Sequence, residues 1–182
     1  MPDNQSLNKL IASCKKGDLR KQELLYKQFY GYALGICIRY LNNREDALEA
    51  ANDSFIKAFK AIHSFNEEND FKPWFRRILV NTSLDYKRKL TRFGDTMELS
   101  DTVPQTMHIS AIDKLSAQDI LTLMKYLNEM QRTVFNLYEI DGYSHKEIGS
   151  MLNIPESSSR TYLTRAKQAL QQLLTTHSIY TK

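Results

Sequence analysis

Residues 141–155 read DGYSHKEIGSMLNIP, and residues 156–170 continue as ESSSRTYLTRAKQAL. In the first stretch, Ser144 followed three residues later by Glu147 predicts a capping box at a helix N-terminus. Asn153 lies where that helix must end, and asparagine tolerates the left-handed backbone of such a turn. The pattern predicts two short helices joined by a tight turn. A helix-turn-helix of this kind places its second helix in the major groove, so the chain is expected to bind DNA.

The second helix of this motif carries the side chains expected to contact DNA. It has basic residues but no acidic residue between positions 157 and 170. Arginine can read guanine through two hydrogen bonds, and threonine can contact a thymine methyl group or a phosphate. Leu163, Ala166 and Leu170 fall on the opposite face. The alternative is an ordinary solvated surface helix. The candidate DNA-contacting residues are Arg160, Thr161, Thr164, Arg165 and Lys167.

Composition and charge favour a helical protein of one or two domains that binds nucleic acid. The 182 residues are 42% apolar but include only 6 Gly and 4 Pro, which indicates few turns and many helices. Residues 1–90 carry 16 basic and 11 acidic residues, residues 91–113 carry 1 and 4, and residues 114–182 carry 8 and 6. Two positive blocks therefore flank an acidic segment, and clustered positive charge attracts the phosphate backbone.

The cysteines, the histidines and the apolar segments predict neither a metal site nor a membrane segment. Cys14 and Cys37 lack CxxC spacing, and the four histidines are scattered along the chain, so no zinc site is expected. Isolated cysteines fit a reducing compartment. Residues 1–10 lack an apolar signal segment, and the chain has no run of about 20 apolar residues. We therefore expect a cytoplasmic protein without membrane insertion.

The hydrophobic periodicity predicts an all-α fold with two small helical domains. The first domain is expected to span residues 6–90 and the second residues 113–177. Residues 91–112 mix polar residues with Gly and Pro and predict a flexible linker, which would let the domains adopt different relative positions. Ahead of the helix-turn-helix, the predicted helices are a short one ending at Gly17-Asp18, then Glu23–Tyr40, Arg44–Ala61, Phe71–Leu90, about Ser116–Leu127, and Glu129–Tyr138.

The last helix of the first domain interleaves cations with aromatic rings. Residues 71–89 carry six basic residues against a single acid, Asp85. Cations that follow a backbone and rings that stack on bases suit single-stranded nucleic acid. For the tryptophan alone, the favoured interpretation is a core residue. The aromatic residues of the segment are Phe71, Trp74, Phe75 and Tyr86.

One face of the third predicted helix carries carboxylates. Asp46, Glu49 and Asp53 are spaced by three and four residues and therefore share a face. No histidine lies nearby and one helix cannot surround an ion, so a protein-docking face or a solvated face is expected there. The chain has no Gly-rich phosphate loop, HExxH, GxSxG or CxxC motif. We therefore expect neither an enzyme nor a bound cofactor.

Three motifs, in this order, resemble the extracytoplasmic-function (ECF) RNA polymerase sigma factors of the sigma-70 family. They are DALEAANDSFIKAF at 46–59, FKPWFRRILVN at 71–81, and GYSHKEIG at 142–149 followed by RAK at 165–167. The resemblance covers about residues 6–175. It implies that the chain binds the bacterial RNA polymerase core, directs it to promoter DNA, and has an anti-sigma factor as a further partner. The linker would replace the third domain of larger sigma factors.

The resemblance assigns residues to three surfaces. The implied polymerase-docking surface consists of Asp46, Glu49, Asn52, Asp53 and Phe55. The loop Ser64–Asp70 would hold a flipped base, whose extrusion costs a few kcal/mol of stacking. The minus-thirty-five element would be read by the five candidates of the helix-turn-helix. The implied minus-ten and melting residues are Ser64, Phe65, Asn66, Asn69, Lys72, Trp74, Arg76, Arg77 and Asn81.

The chain departs from the family pattern at three places, and two other classes of protein stay open. Ser157-Ser158-Ser159 stands where Gly-Thr-Val is frequent, Leu48 where a second acid is frequent, and Tyr162 where arginine or glutamine is frequent.

A conventional regulator with an N-terminal sensing domain would explain the helix-turn-helix but not the segment 71–89. A helical adaptor that binds polymerase without DNA would not explain the basic helix.

Overall fold

The computed structural model describes residues 4–41, 43–93 and 123–179. The chain divides into two compact units, Met1–Thr96 and Met97–Lys182. Within the described ranges every regular element is helical, which confirms the predicted all-α class. The elements are α1 (Asn4–Lys15), α2 (Leu19–Tyr40), α3 (Arg44–Ala61), α4 (Phe71–Phe93), α5 (Glu129–Phe135), α6 (His145–Leu152) and α7 (Glu156–Ile179), with 3-10 turns at Ile62–Ser64 and Met124–Tyr126.

Side-chain caps set the starts of the long helices in the first unit. Gly17 adopts a positive φ of 81° and ends the first helical segment. The carboxylate of Asp18 then accepts hydrogen bonds from the backbone N–H groups of Arg20 and Lys21 at the start of α2. The amide oxygen of Asn43 accepts from the N–H of Glu45 at 2.9 Å and starts α3. Capping oxygens satisfy N–H groups that the helix itself leaves unpaired.

Aromatic rings form the centre of the first unit. Phe75 of α4 is fully buried. Its ring centroid lies 4.9 Å from that of Phe55 on α3 and 5.5 Å from that of Phe71. Phe29 on α2 contacts Phe71 at 5.0 Å in an edge-on arrangement. Rings at these separations gain from their quadrupoles as well as from burial, so one cluster joins α2, α3 and α4.

The second unit contains the predicted helix-turn-helix. The N–H of Ser144 donates to the Glu147 carboxylate at 2.9 Å, and the N–H of Glu147 donates to the Ser144 hydroxyl at 3.3 Å. This reciprocal pair confirms the predicted capping box of α6. Asn153 ends α6 with a left-handed φ of 55°, as predicted. Leu137 and Ile148 are fully buried beneath the motif.

The structure changes several predicted helix boundaries. Helix α2 begins at Leu19 rather than at Glu23, because Asp18 caps it. Helix α4 continues to Phe93 rather than ending at Leu90. The helix predicted at Glu129–Tyr138 widens after Phe135 into a π-helical turn over Asn136–Ile140, in which the N–H of Asp141 donates to the carbonyl of Asn136.

Part of the predicted domain division lies beyond the described residues. Linker residues 94–112, together with residues 113–122, lie outside the described ranges. The same holds for most of the helix predicted at about Ser116–Leu127, whose described end is the 3-10 turn Met124–Tyr126. The division into domains 6–90 and 113–177 therefore stays a prediction.

Gly149 is predicted to be essential to the turn between α6 and α7. A Cβ atom at this position would lie 2.8 Å from the carbonyl oxygen of Ile154, a backbone atom that cannot rotate away. Gly149→Val should therefore lower the free energy of unfolding of the second unit by about 1–3 kcal/mol. Urea unfolding followed by circular dichroism measures this change. Ser150→Val, at an exposed position of the same helix, is the matched control; an equal loss in both variants would show that the clash does not govern the turn.

Candidate nucleic-acid and protein interfaces

Helix α7 presents the predicted DNA-contacting residues to solvent. All five side chains are exposed, whereas Leu163 and Ala166 on the opposite face are buried. The hydroxyl of Thr161 donates to the carbonyl of Ser157 and that of Thr164 to the carbonyl of Arg160. Each hydroxyl oxygen keeps lone pairs that can still accept a hydrogen bond. The arrangement supplies an amphipathic helix with one polar, basic face.

Two of the three cations on this face already have carboxylate partners within the unit. Arg160 pairs with Glu156, one turn earlier on α7. The Lys167 ammonium lies 2.6 Å from the carboxylate of Glu139, in the π-helical turn. Within the described part of the chain no ion pair involves Arg165. Arg160 and Lys167 are thus partly neutralised within the unit, whereas no described carboxylate neutralises Arg165.

A buried polar contact joins the two helices of the motif. The Nδ1 atom of His145, the first residue of α6, shares a hydrogen bond of 2.9 Å with the hydroxyl of Ser159 on α7. Both side chains are buried. The imidazole also stacks on Tyr138, with ring centroids 4.4 Å apart. The sequence pattern did not predict this contact, because the two partners lie on different helices.

Burial depresses the pKa of the His145 imidazole. Desolvation is the main cause, and the positive charge of Arg160 adds to it, while Glu156 opposes it. The neutral form is therefore favoured in the folded unit. A neutral imidazole can keep the contact with Ser159 without bringing a buried charge between the two helices.

Acidification is predicted to destabilise the second unit through His145. Because the pKa of His145 is lowered from 6.5 in the folded state, the unfolded chain binds this proton more readily. The free energy of unfolding should therefore fall as the pH drops from about 6.5 toward the folded pKa. Urea unfolding at several pH values measures the slope, and an NMR titration of the imidazole Cε1–H reads the pKa directly. His145→Gln should remove this part of the slope, and a titration midpoint above 6.5 would contradict the assignment.

Tyr86 of α4 interacts with the acidic face of α3. Asp53 accepts a hydrogen bond of 2.7 Å from the Tyr86 hydroxyl. Desolvation, this hydrogen bond and the negative charges of Asp53, Glu49 and Asp46 raise the pKa of Tyr86 to about 12. All three carboxylates therefore raise the pKa of the same hydroxyl group, that of Tyr86. Tyr86 had been grouped with stacking aromatics, and its place beside these acids was not predicted.

Asn52 and Phe55 occupy different positions on the same helix. Asn52 is exposed, and its amide oxygen accepts from the hydroxyl of Tyr26 at 3.1 Å. Phe55 is buried and packs against Tyr26 at 4.6 Å between ring centroids. Phe55 thus supports the helix from the core and does not present its ring to a partner. The exposed or half-exposed members of the set are named the docking surface below: Asp46, Glu49, Asn52 and Asp53.

The aromatic residues at the start of α4 are mainly core residues. Phe71 and Phe75 are buried, which corrects their grouping with rings that could stack on bases. Trp74 is half-buried, with its ring 5.1 Å from that of Phe65 and 5.5 Å from that of Phe71. The Trp74 ring therefore packs against core residues, as the favoured interpretation predicted, but it is not fully buried. Its remaining exposed part lies at the helix surface.

The polar residues of α4 divide between two sides of the helix. Arg77 and Asn81 are exposed and lie one turn apart. Positions three and seven residues after Trp74 share its face of the helix. On another side, the Arg76 guanidinium donates to the Tyr32 hydroxyl at 3.1 Å, and the Lys72 ammonium lies 6.0 Å from the centroid of the Tyr32 ring. Lys72 and Arg76 are therefore oriented toward Tyr32 of α2.

The loop before α4 borders a cavity of about 510 Å³. Ser64 ends the preceding 3-10 turn and donates its hydroxyl hydrogen to the Ala61 carbonyl. Asn66 closes a local turn by accepting from the N–H of Glu68. Phe65 is buried and Asn69 is exposed. The cavity is lined by Leu7, Asn8, Gln28, Phe29, Glu67, Glu68, Asn69, Asp70, Phe71, Lys72 and Pro73.

In the ranges that the structure describes, no group of three or more His, Cys, Asp or Glu side chains could hold a metal ion. None of the helices there is both long and apolar enough to cross a membrane. Burial raises the pKa of the Cys14 and Cys37 thiols to about 11, so both stay protonated at neutral pH.

Family comparisons place a known region in each unit. The family model for Sigma-70 region 2 matches residues 25–93, and the model for Sigma-70, region 4 matches residues 117–170. The first match contains the docking surface and α4, and the second contains the helix-turn-helix. The chain thus carries two regions of one family in the order that the sequence motifs predicted.

Curated relatives match over nearly the whole chain. The ECF RNA polymerase sigma factor SigW of Bacillus subtilis is 29% identical over 180 residues, covering 92% of this chain and 96% of its own. The RNA polymerase sigma-H factor of Pseudomonas aeruginosa is 25% identical over 180 residues, covering 91% of this chain and 92% of its own. The chain belongs to the sigma-70 family of RNA polymerase sigma factors. Within that family it is an ECF sigma factor.

A solved structure shares the fold. The sigma factor RpoE of Bartonella quintana, solved with the anti-sigma factor NepR, covers 84% of this chain and 96% of its own at a TM-score of 0.53 and 22% identity. At this identity the likeness concerns the fold alone.

Proposed function

We propose that this protein binds the bacterial RNA polymerase core and directs it to start transcription at specific promoters. The observation that carries the proposal is the presence of sigma regions 2 and 4 in one chain. Each region has a surface suited to its part of the task. The first unit offers an acidic docking surface and a cavity beside α4, and the second offers a basic helix in a helix-turn-helix.

In this proposal α7 reads the minus-thirty-five element in the major groove. Arg165 is exposed and has no ion pair within the described residues, so it can approach a guanine edge or a phosphate. Thr161 and Thr164 lie on the same exposed face. Arg160 and Lys167 would exchange Glu156 and Glu139 for DNA phosphates. The hydrogen bond between His145 and Ser159 would help to position the helix that carries these side chains.

The docking surface on α3 is proposed to bind the polymerase core. Its carboxylates favour a partner surface that carries arginine or lysine, since complementary charge raises both specificity and association rate. Tyr86 extends this surface from α3 onto α4 through its hydrogen bond to Asp53. Phe55 would act from the core, by keeping α3 in place.

The cavity beside loop 65–70 is proposed to hold an unpaired base of the minus-ten element. Trp74, Arg77 and Asn81 share one face of α4 and would contact the separated strand. Lys72 and Arg76 would follow its phosphates from the side of Tyr32. Aromatic stacking combined with cations is typical of single-strand binding. Ser64, Phe65, Asn66 and Asn69 shape the loop.

The remaining predictions follow from the same proposal. The protein acts by binding rather than by catalysis, and it needs no cofactor of its own. Its place is the cytoplasm, because the polymerase core is found there. The division into domains 6–90 and 113–177 with a linker at 91–112 is proposed to let each domain meet its own promoter element. An anti-sigma factor is proposed as the partner that restrains it.

The test of the function uses purified polymerase core and a library of genomic promoters. Tight binding to the core, followed by new sequence-specific transcription starts, is the expected result. The alternative is a conventional regulator, which the helix-turn-helix alone would also fit. Specific duplex binding by the isolated protein, without any binding to the core, would establish that alternative.

Arg165→Ala is predicted to weaken promoter recognition without affecting binding to the core. Loss of one arginine contact should cost roughly 1–3 kcal/mol in binding to the minus-thirty-five duplex. Electrophoretic mobility shifts of the holoenzyme on a selected promoter measure this change, and fluorescence anisotropy measures affinity for the core. Lys146→Ala removes an exposed cation from α6 and serves as the control. Equal losses in the two assays would refute the division of labour.

Glu49→Lys is predicted to weaken core binding by about tenfold, because it reverses one charge of the docking surface. Glu49 is exposed, so the folded unit should tolerate the change. Glu23→Lys makes the same reversal on α2 and is the matched control. Replacing Phe55 would instead test folding, since its ring lies in the core. If the Glu49 variant binds the core with unchanged affinity, the polymerase core must bind another face of the protein.

A further inference from the structure

Helix α1 reaches a part of the proposed minus-ten site from outside the region that the family model covers. The match to Sigma-70 region 2 begins at residue 25, whereas α1 spans Asn4–Lys15. Its last residue, Lys15, lies 50 positions before Phe65 in the chain. The Lys15 ammonium donates a hydrogen bond of 2.8 Å to the Phe65 carbonyl. It also lies 2.8 Å from the carboxylate of Glu67.

These contacts hold Lys15 in one position. Its side chain is 22% exposed, against 42% for its partner Glu67, so water screens the pair less than it screens a surface ion pair. The ammonium also lies 6.0 Å from the centroid of the Phe65 ring. Hydrogen bonds from a charged donor are stronger than neutral ones. Lys15 therefore fixes both the backbone and a side chain at the start of loop 65–70.

The loop makes few other hydrogen bonds to the rest of the unit. Among the described residues, its remaining hydrogen bonds are local. The N–H of Phe65 donates to Ile62, that of Asn69 donates to Asn66, and Asn66 and Glu68 bond to each other. The buried Phe65 ring packs against Phe71 and Trp74 of α4. The hydrogen bond from Lys15 adds a polar tie between the loop and α1.

Helix α1 also contributes to the cavity itself. Leu7 and Asn8 line it from α1, together with Asn69 and Asp70 of the loop. The placement of the loop relative to α1 therefore affects the shape of the cavity. Because Lys15 ties α1 to Phe65 and Glu67, loss of its ammonium would change that shape without removing any residue that lines the cavity.

We propose that α1 is a structural part of the minus-ten site and that Lys15 is a positioning residue, which holds loop 65–70 at the distance required to select one unpaired base. This proposal rests on the proposed function, since it assumes that the cavity receives a base of the melted strand. Lys15 acts through the loop and makes no contact with the base.

The experiment uses the complete protein bound to polymerase core. The probe is a fluorescent single-stranded oligonucleotide that carries the minus-ten element of a selected promoter. Each position is replaced in turn by the other bases, and anisotropy gives the loss of affinity at each position. Lys15→Met should reduce discrimination at one position by about tenfold, with affinity for the core unchanged. Lys15→Arg should restore it, because arginine can donate to the same carbonyl and carboxylate.

Two further variants separate positioning from charge. Lys16→Met removes the neighbouring exposed cation and should leave the discrimination pattern unchanged. The double variant Lys15→Met with Glu67→Gln also removes the carboxylate that Lys15→Met alone would leave without its partner. It should remain as defective as Lys15→Met, because the anchor to the Phe65 carbonyl is still lost. Full recovery in the double variant would show that Lys15 only neutralises Glu67, and the proposal would be overturned.

The two levels of the proposal fail in different ways. If the wild-type holoenzyme discriminates bases and Lys15→Met keeps the full pattern, Lys15 does not position the loop, while the proposed function stands. If the wild-type holoenzyme shows no base discrimination at any position, the minus-ten role of the first unit fails, and the role of Lys15 fails with it.

Discussion

The contacts of Phe75 are the constraint on which the first unit depends. Its ring is fully buried and meets Phe29, Phe55 and Phe71, which come from α2, α3 and α4. The docking surface, the exposed face of α4 and the cavity all lie on the outer sides of the helices that this cluster holds together. Dense packing transmits small changes in shape, so the spacing between these surfaces is set in the core rather than at the surfaces themselves.

Local sequence signals predicted most of the described helices and several of their ends, although α2 begins at Leu19 rather than at the predicted Glu23. The capping box of Ser144 and Glu147, the left-handed Asn153 and the bounds of α3 each depend on residues a few positions apart, where the physics is local. The all-α class followed from the same periodicity. Helix α4 ran beyond its predicted end at Leu90, since Thr91, Arg92 and Phe93 give no local stop signal before Gly94.

The sites were predicted less completely, because their decisive contacts join residues far apart in the chain. His145 with Ser159, Tyr86 with Asp53, and Lys15 with Phe65 each connect two elements. The aromatic residues of α4 show a second limit. A ring next to cations has the same pattern whether it stacks on a base or packs in a core, and only the neighbouring helices decide between these two roles. Phe71 and Phe75 therefore looked like stacking residues from sequence alone.

The internal ion pairs of α7 have a consequence for how its binding would respond to salt. Each phosphate that a cation neutralises releases condensed counterions and contributes about −0.9 to the slope of log affinity against log salt concentration. Arg160 and Lys167 must each break an ion pair with a protein carboxylate before they can neutralise a phosphate. In the free protein, Glu156 and Glu139 already neutralise these two cations, so no anion from solution needs to bind them. The helix should therefore release fewer solution anions on binding than three unpaired cations would, while the counterions released from the DNA still follow the number of phosphates neutralised.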